Sequence, residues 1–225
     1  MFNKQTIKVS VVIPVYNVQE YLDKCVRSVL SQTIEGLEIL FVDDGSTDNS
    51  LDILKKYQQL DARIRILSQT NQGAGNARNR AIENAGGEFV CFLDADDYWL
   101  EDTALEKLYD CAISKSVKIC GGQYYIEKKG KIRSSNVYRM LGDKLNIGEK
   151  IEYAAYQYDF NYTNYIYDRD MLIKNHIFFP PYRSFEDPPF FVRAMSAAEW
   201  FCIMDVPFYC YRVGYKEIHY TEEII

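Results

Sequence analysis

The chain has 225 residues, 48% of them hydrophobic, with 26 Lys+Arg against 32 Asp+Glu and a formal net charge of -6. That length suits one large α/β domain, and the apolar content argues against global disorder. The acidic balance argues against a nucleic-acid backbone as partner, because proteins that bind one present a basic stripe to its phosphates.

In chain order, Lys8 to Val15 (KVSVVIPV) is a β-branched run that reads as a buried parallel strand. Val18, Tyr21, Leu22, Cys25, Val26, Val29 and Leu30 recur at helical spacing and predict an amphipathic helix. A second strand, Leu37 to Val42, ends at Asp43-Asp44-Gly45-Ser46, and Ser46, Thr47 or Asp48 is suited to cap a helix from Ser50 to Leu60. Ile64 to Leu67 predicts a third strand, Gly75 to Asn84 a third helix and Glu88 to Leu93 a fourth strand. Such alternation means a mostly parallel central sheet with helices on both faces. Further on, the pattern predicts a helix over Thr103–Ser114, a strand over Val117–Tyr125 and a hairpin or loop over Glu127–Arg133. Tyr153 to Tyr167 carries six tyrosines (153, 156, 158, 162, 165 and 167), which suit either packing or a stacking platform for a sugar.

Six cysteines at 25, 91, 111, 120, 202 and 210 form no C-x-x-C pair and sit in apolar runs. They read as buried thiols in a reducing compartment rather than as a disulfide or zinc framework. The N-terminus has no secretory apolar region, and no stretch approaches the ~20 apolar residues of a membrane span. The expectation is a cytoplasmic protein, with peripheral contact at the inner face of a membrane compatible with the sequence.

In parallel sheets, ligands gather at the carboxyl ends of the strands. Three polar ends fall there: Pro14-Val15-Tyr16-Asn17, Asp43-Asp44-Gly45-Ser46 and Asp94-Ala95-Asp96-Asp97. Each alone also fits a turn or a helix cap; their convergence on one edge points to a site. If the segment is extended, Asp94 and Asp96 point the same way and suit Mg²⁺ or Mn²⁺, with phosphate and water completing the shell. Asp97 would then orient or cap. Asn71 to Asn79 (NQGAGNARN) leads a glycine-containing loop into a helix, a setting that favours phosphate, with Arg78 in reach of a carboxylate or phosphate.

The runs VSVVIPVYN (9–17), VDDGSTDNS (42–50), NQGAGNARNRA (71–81) and GEFVCFLDADD (87–97), with Ser184-Phe185-Glu186-Asp187-Pro188-Pro189 later, occur in one order. Together they resemble the successive motifs of the family 2 glycosyltransferases of bacterial polysaccharide and surface-glycan synthesis, inverting enzymes with the GT-A fold. The resemblance implies that Asp43 contacts the nucleotide base and Asp44 lies near the ribose. Pro14, Tyr16 and Asn17 frame the base, and Gly73 and Arg78 line the nucleotide pocket. Asp94, Ala95 and Asp96 match the DxD motif, with Asp96 the direct ligand of Mn²⁺ or Mg²⁺, and Asp187 matches the general base. The donor is a nucleotide sugar, UDP-linked by resemblance, and the acceptor a glycan or lipid-linked glycan. Residues 1–102 read as the nucleotide-sugar-binding half, and 103–225 as the acceptor-binding half of the same domain plus a short C-terminal region.

The residues around Asp187 support the same role independently. Phe185 and the following Pro188-Pro189-Phe190-Phe191 form an apolar frame that raises a carboxylate's pKa and strengthens it as a base. Prolines at the start of a helix give Glu186 or Asp187 a capping role as well. The pattern departs from the family where Asn164-Tyr165-Ile166-Tyr167 replaces a run like Asn-Lys-Leu-Tyr. Relatives continue beyond Tyr209-Cys210-Tyr211-Arg212, so the chain reads as a truncated or minimal member, and His219 as a surface histidine. Two rivals remain. A sugar-phosphate nucleotidyltransferase needs a Gly-rich basic loop after strand one, which IPVYN does not supply. A catalytically silent nucleotide-sugar-binding module would not need both the DxD and Glu-Asp motifs.

Overall fold

Residues 6–135, 147–156, 159, 161–182 and 184–214 are described in the computed structural model of the chain. Its first half alternates β1 (Val9–Val15), α1 (Leu22–Leu30), β2 (Leu37–Asp43), α2 (Ser50–Leu60), β3 (Ile64–Ser68), α3 (Ala74–Asn84) and β4 (Phe89–Phe92). Next come β5 (Tyr98–Trp99), α4 (Ala104–Lys115), β6 (Ile119–Lys128), β7 (Lys131–Ser134), β8 (Lys150–Glu152) and the short α5 (Tyr153–Tyr156). The chain then forms β9 (Tyr165–Asp168), α6 (Arg169–Lys174), α7 (Asp187–Ala198) and the long β10 (Trp200–Val213).

The strands form one sheet in the order β3-β2-β1-β4-β9-β6-β10-β5, with β7 beside β6 and β8 beside β10. β3, β2, β1 and β4 run parallel, as strands joined through helices must. β9 enters antiparallel between β4 and β6, which restores the original direction in β6 and β10. The carboxyl ends of β1, β2, β4, β6 and β10 therefore share one edge.

All seven residues of β2 are buried because the strand has neighbours on both sides and helices above and below. One core packs α1, α2 and α4 on one face of the sheet through Leu22, Val26, Leu54 and Leu108. The other packs α3, α6 and α7 through Ala81, Ile82, Leu172 and Phe190. All six cysteines are free and buried within these layers, as apolar runs dictate. No helix of the described residues is long and apolar enough to cross a membrane.

Some boundaries differ from the periodicity. α1 begins at Leu22 and not at Val18, because the Val18 amide is bound by the Ser50 hydroxyl at 3.0 Å and the chain turns before the helix starts. The tyrosine-rich stretch packs: Tyr156, Tyr162, Tyr165 and Tyr167 are buried, their rings set against Phe92, Phe190 and Phe201. That excludes those four as a sugar platform. Tyr158 and His219 lie outside the described residues.

Candidate active site

A cleft of about 290 Å³ opens at the shared carboxyl edge, lined by Pro14, Val15, Tyr16, Val18, Asp44, Asn71, Gly73, Ala74, Arg78, Asp94, Ala95 and Asp96. Eight of the eleven site residues expected from the sequence stand in that wall: Pro14, Tyr16, Asp44, Gly73, Arg78, Asp94, Ala95 and Asp96. Tyr16, 47% exposed, presents a ring at the rim.

Asn17, Asp43 and Asp187 are absent from the lining; Asn17 and Asp43 act behind it, and Asp187 is joined to the wall through its neighbour Glu186. Asn17, at φ 50°, accepts from the amides of Thr47 at 2.8 Å and Asp48 at 3.3 Å through Oδ1, tying the end of β1 to the loop after β2. Asp43 is buried and accepts from the Ser46 amide at 3.2 Å, closing the turn around Gly45. Its neighbour Asp44 fixes the next loop: one carboxylate oxygen takes Gln69 Nε2 at 2.8 Å and the Gln72 amide at 2.9 Å, and the other takes the Gly73 amide at 2.8 Å. Gly73 sits at φ 89°, a left-handed conformation that favours glycine, and α3 starts directly after it. The α3 N-terminus thus faces the cleft with amides suited to phosphate.

The strand-alternation argument for Asp94 and Asp96 does not apply. β4 ends at Phe92, and Asp94 to Asp97 is a turn closed by the Asp97 amide donating to the Asp94 carbonyl at 2.9 Å. The turn still delivers both carboxylates to the cleft. Asp97 is buried beneath it and receives the Tyr209 hydroxyl at 2.6 Å and the Arg212 amide at 2.8 Å. Burial, with Asp94 adding to it, pushes the Asp97 carboxyl up to about 8 against the pull of those two donors. Tyr209 and Arg212, which the motifs did not single out, therefore hold this turn. Tyr209 also accepts the Asp94 amide at 3.3 Å, and Arg212 Nε donates to the Asp96 carbonyl.

Arg78 is the hub of the wall. Its guanidinium binds Asp94 at 2.7 Å and Glu186 at 2.9 Å, and it lies 5.3 Å from the ring centres of both Tyr162 and Phe179. Burial alone would lower its pKa, but Tyr162, Asp94 and Glu186 outweigh burial and the net direction is upward. A Cβ on Gly75 would meet Glu186 Cγ at 3.2 Å, so that glycine lets α3 and the Glu186 segment approach.

Asp187, next to Glu186, opens α7 with Pro188 and Pro189 in the first turn, where helix amides have no intrahelical partner. It is half-buried, and burial raises its pKa; its own amide and Arg78 pull down, while Glu186 and Asp94 push up. Phe185 contributes no apolar cover. It is 76% exposed at φ 62°, and the buried rings are Phe190 and Phe191 behind the helix. No side-chain cap bond forms at Glu186.

Among the described residues no group of three or more His, Cys, Asp or Glu side chains is gathered to enclose a metal. Of the three cleft aspartates, Asp44 is engaged by its loop, Asp94 shares its charge with Arg78, and Asp96 is the third. This donor set suits an oxygen-loving divalent cation that keeps water and takes phosphate from its ligand, not one held in an all-protein cage.

The family model described as Glycosyl transferase family 2 matches residues 10–186. Glycosyltransferase GlyG of Streptococcus pneumoniae is 33% identical over 225 aligned residues, covering 95% of this chain and 73% of GlyG. Glycosyltransferase GlyA of the same organism is 38% identical over 150 residues, 64% of this chain and 21% of GlyA. The crystal structure of S. aureus TarS 1-349 in complex with UDP-GlcNAc has a TM-score of 0.76 at 25% identity, covering 93% of this chain and 60% of that one. This likeness bears out the expected GT-A arrangement of sheet and helices. The chain spans about a fifth of GlyA and three fifths of that TarS chain.

Proposed function

The chain belongs to glycosyl transferase family 2, and from that membership we propose that it moves a sugar from a UDP-sugar to an acceptor hydroxyl on a polysaccharide or surface glycan. The observation that carries the reading is the ionic chain Asp94–Arg78–Glu186, which ties the cleft wall to the residue before Asp187. The UDP-GlcNAc complex of the similar TarS supports UDP as the nucleotide. In this reading residues 1–102 hold the donor and the later part of the chain meets the acceptor.

Each residue has a task. Tyr16 lies along the base at the rim. Asp44 fixes the Gln72–Gly73 loop so that the α3 N-terminus faces the diphosphate. Asp96, helped by Asp94, would hold Mn²⁺ or Mg²⁺, and the bound cation supplies positive charge to the diphosphate as it leaves. Asp187, with its raised pKa, takes the proton from the acceptor hydroxyl. That oxygen attacks the anomeric carbon from the side opposite the diphosphate, the bond to the diphosphate breaks, and one displacement inverts the centre.

Calorimetry with UDP-GlcNAc, with and without Mn²⁺, tests the reading together with an assay for UDP release. Mn²⁺-dependent binding that disappears in Asp96→Ala is expected. Binding of equal strength without the metal and in the variant would overturn the role given to Asp96, and no binding of any nucleotide sugar would overturn the transferase reading.

A further inference from the structure

β6 and β10 run on as a pair beyond Gly121, the last β6 residue that meets β9. β7 folds against this extension through a two-residue turn, Lys129-Gly130, with both residues at positive φ (51° and 72°), as tight hairpins require. Register and alternation then sort the side chains. Tyr124, Ile126 and Lys128 lie opposite Tyr209, Tyr211 and Val213, and on the other side Ile126 and Lys128 lie opposite Arg133 and Lys131. One face of this three-stranded extension therefore carries Tyr209, Tyr124, Tyr211 and Ile126, followed by Lys128, Lys131 and Arg133.

Three observations set this face apart from an ordinary solvated surface. Lys128 stands directly opposite Lys131, a like-charge pair that destabilises a hairpin. The three cations are exposed and have no carboxylate partner among the described residues. The hairpin's acid, Glu127, points to the other face and pairs with Lys24 at 3.0 Å. Ile126, Lys128, Lys131 and Arg133 also line a depression of about 450 Å³. They do so on a chain of net charge -6, so an anionic ligand is repelled elsewhere and drawn here.

The face also leads back to the cleft. Tyr124 stacks on Tyr209 with ring centres 5.5 Å apart and lies 6.4 Å from Tyr211, which is 43% exposed. Tyr209 in turn bonds Asp97 and accepts the amide of Asp94, a residue of the cleft wall. Aromatic rings thus lie nearest the cleft and cations farthest from it.

We propose that this face binds the acceptor, and that the acceptor is an anionic glycan chain. Tyr124 and Tyr211 take the apolar faces of its sugar rings, and Lys128, Lys131 and Arg133 take its negative groups farther out. The inference rests on the transferase reading for the acceptor's role, but the binding itself is measured apart from it. Four tyrosines of the stretch that suggested a platform are buried; the platform is formed by other tyrosines, brought together by strand pairing.

The test is calorimetry on the whole chain at low salt with short polygalacturonate oligomers, dextran oligomers of equal length, inorganic polyphosphate, and phosphatidylglycerol vesicles. Polygalacturonate is expected to bind more tightly than dextran. Replacing Lys128, Lys131 and Arg133 together by Ser is expected to weaken it by about 100-fold, about fivefold per cation. Tyr211→Ala is expected to weaken polygalacturonate while leaving polyphosphate binding unchanged. Equal affinity for dextran, or an unaffected triple variant, overturns the proposal. Polyphosphate binding as tight as polygalacturonate, with Tyr211→Ala touching neither, reduces the face to a bare charge patch and overturns it too. Vesicle binding without binding of either soluble polymer assigns the patch to a membrane instead. UDP is titrated alongside: its failure to bind, with the polygalacturonate preference intact, sinks the donor reading and supports the anionic face.

Discussion

Arg78 and Asp94 meet through a 2.7 Å ion pair at the cleft wall, and the other terminal nitrogen of the guanidinium holds Glu186. Arg78 is 5% exposed, so neither carboxylate can be released from it without leaving charge in a poorly hydrated place. Through Arg78 the turn after β4, which carries Asp96, is linked to the start of α7, which carries Asp187.

Arg78→Ala is accordingly expected to cost about 3–5 kcal/mol, the range for removing one partner of a buried pair. Arg78→Lys retains the charge but not the planar fork that spans two carboxylates, so UDP-sugar binding should fall even where the fold survives. Urea unfolding read beside calorimetry checks both. An unfolding midpoint for Arg78→Ala equal to that of the parent protein would show that the hub carries no structural load.

Asp187→Asn separates catalysis from folding. Transfer should drop by about 10²–10⁴ while UDP-sugar binding holds. Burial raises the folded-state pKa of Asp187, so transfer should rise with pH through that pKa as the base ionises, and this acid limb should vanish in the variant. The stability linkage has the opposite sense. A raised folded-state pKa gives stability that is present below the unfolded value and lost as pH rises through the folded one. Asp187→Asn should therefore be no less stable than the parent at neutral pH. A variant that unfolds at pH 7 would mark Asp187 as structural.

Much of residues 1–102 is legible because its elements are local. Periodicity gives β1 to β4 and their helices within a few residues, and the polar ends mark the cleft. What escapes is set by pairing between distant segments. β9 joins β4 to β6 across more than seventy residues of sequence after β4, so no local pattern reveals it. Tyr209 and Arg212 likewise hold the Asp94–Asp97 turn from over a hundred residues away. Asp43 and Asn17 illustrate a different limit: no local pattern shows that one carboxylate oxygen of Asp43 and Oδ1 of Asn17 also accept loop amides. Phe185 looks apolar in the sequence and stands exposed, because a side chain's cover depends on what packs over it.

Asp44 holds its loop by accepting three hydrogen bonds. Asp44→Ala leaves the Gln72 and Gly73 amides without their acceptor, at a cost of about 1–3 kcal/mol if they are not rehydrated. The α3 N-terminus should lose its fixed approach to the diphosphate, and UDP should bind more weakly with or without Mn²⁺. Calorimetry distinguishes this from Asp96→Ala, whose deficit should appear only with the metal present. A metal-dependent deficit in Asp44→Ala would contradict the division of labour.

Tyr209→Phe removes one hydroxyl that serves two residues, donating to Asp97 at 2.6 Å and accepting the Asp94 amide at 3.3 Å. The site is buried, so both former partners lose a bond that water does not readily replace, and stability should fall by about 1–3 kcal/mol. The ring and its stacking on Tyr124 remain, which confines the change to the turn. Because that turn carries Asp96, Mn²⁺-dependent UDP affinity should weaken while the metal-free component stays constant. Asp97→Asn retains an amide in place of the carboxyl and keeps an acceptor for the Arg212 amide, so it should be milder than Tyr209→Phe in the same titration. Equal metal-dependent affinity in all three proteins would mean the turn holds its shape without help from β10.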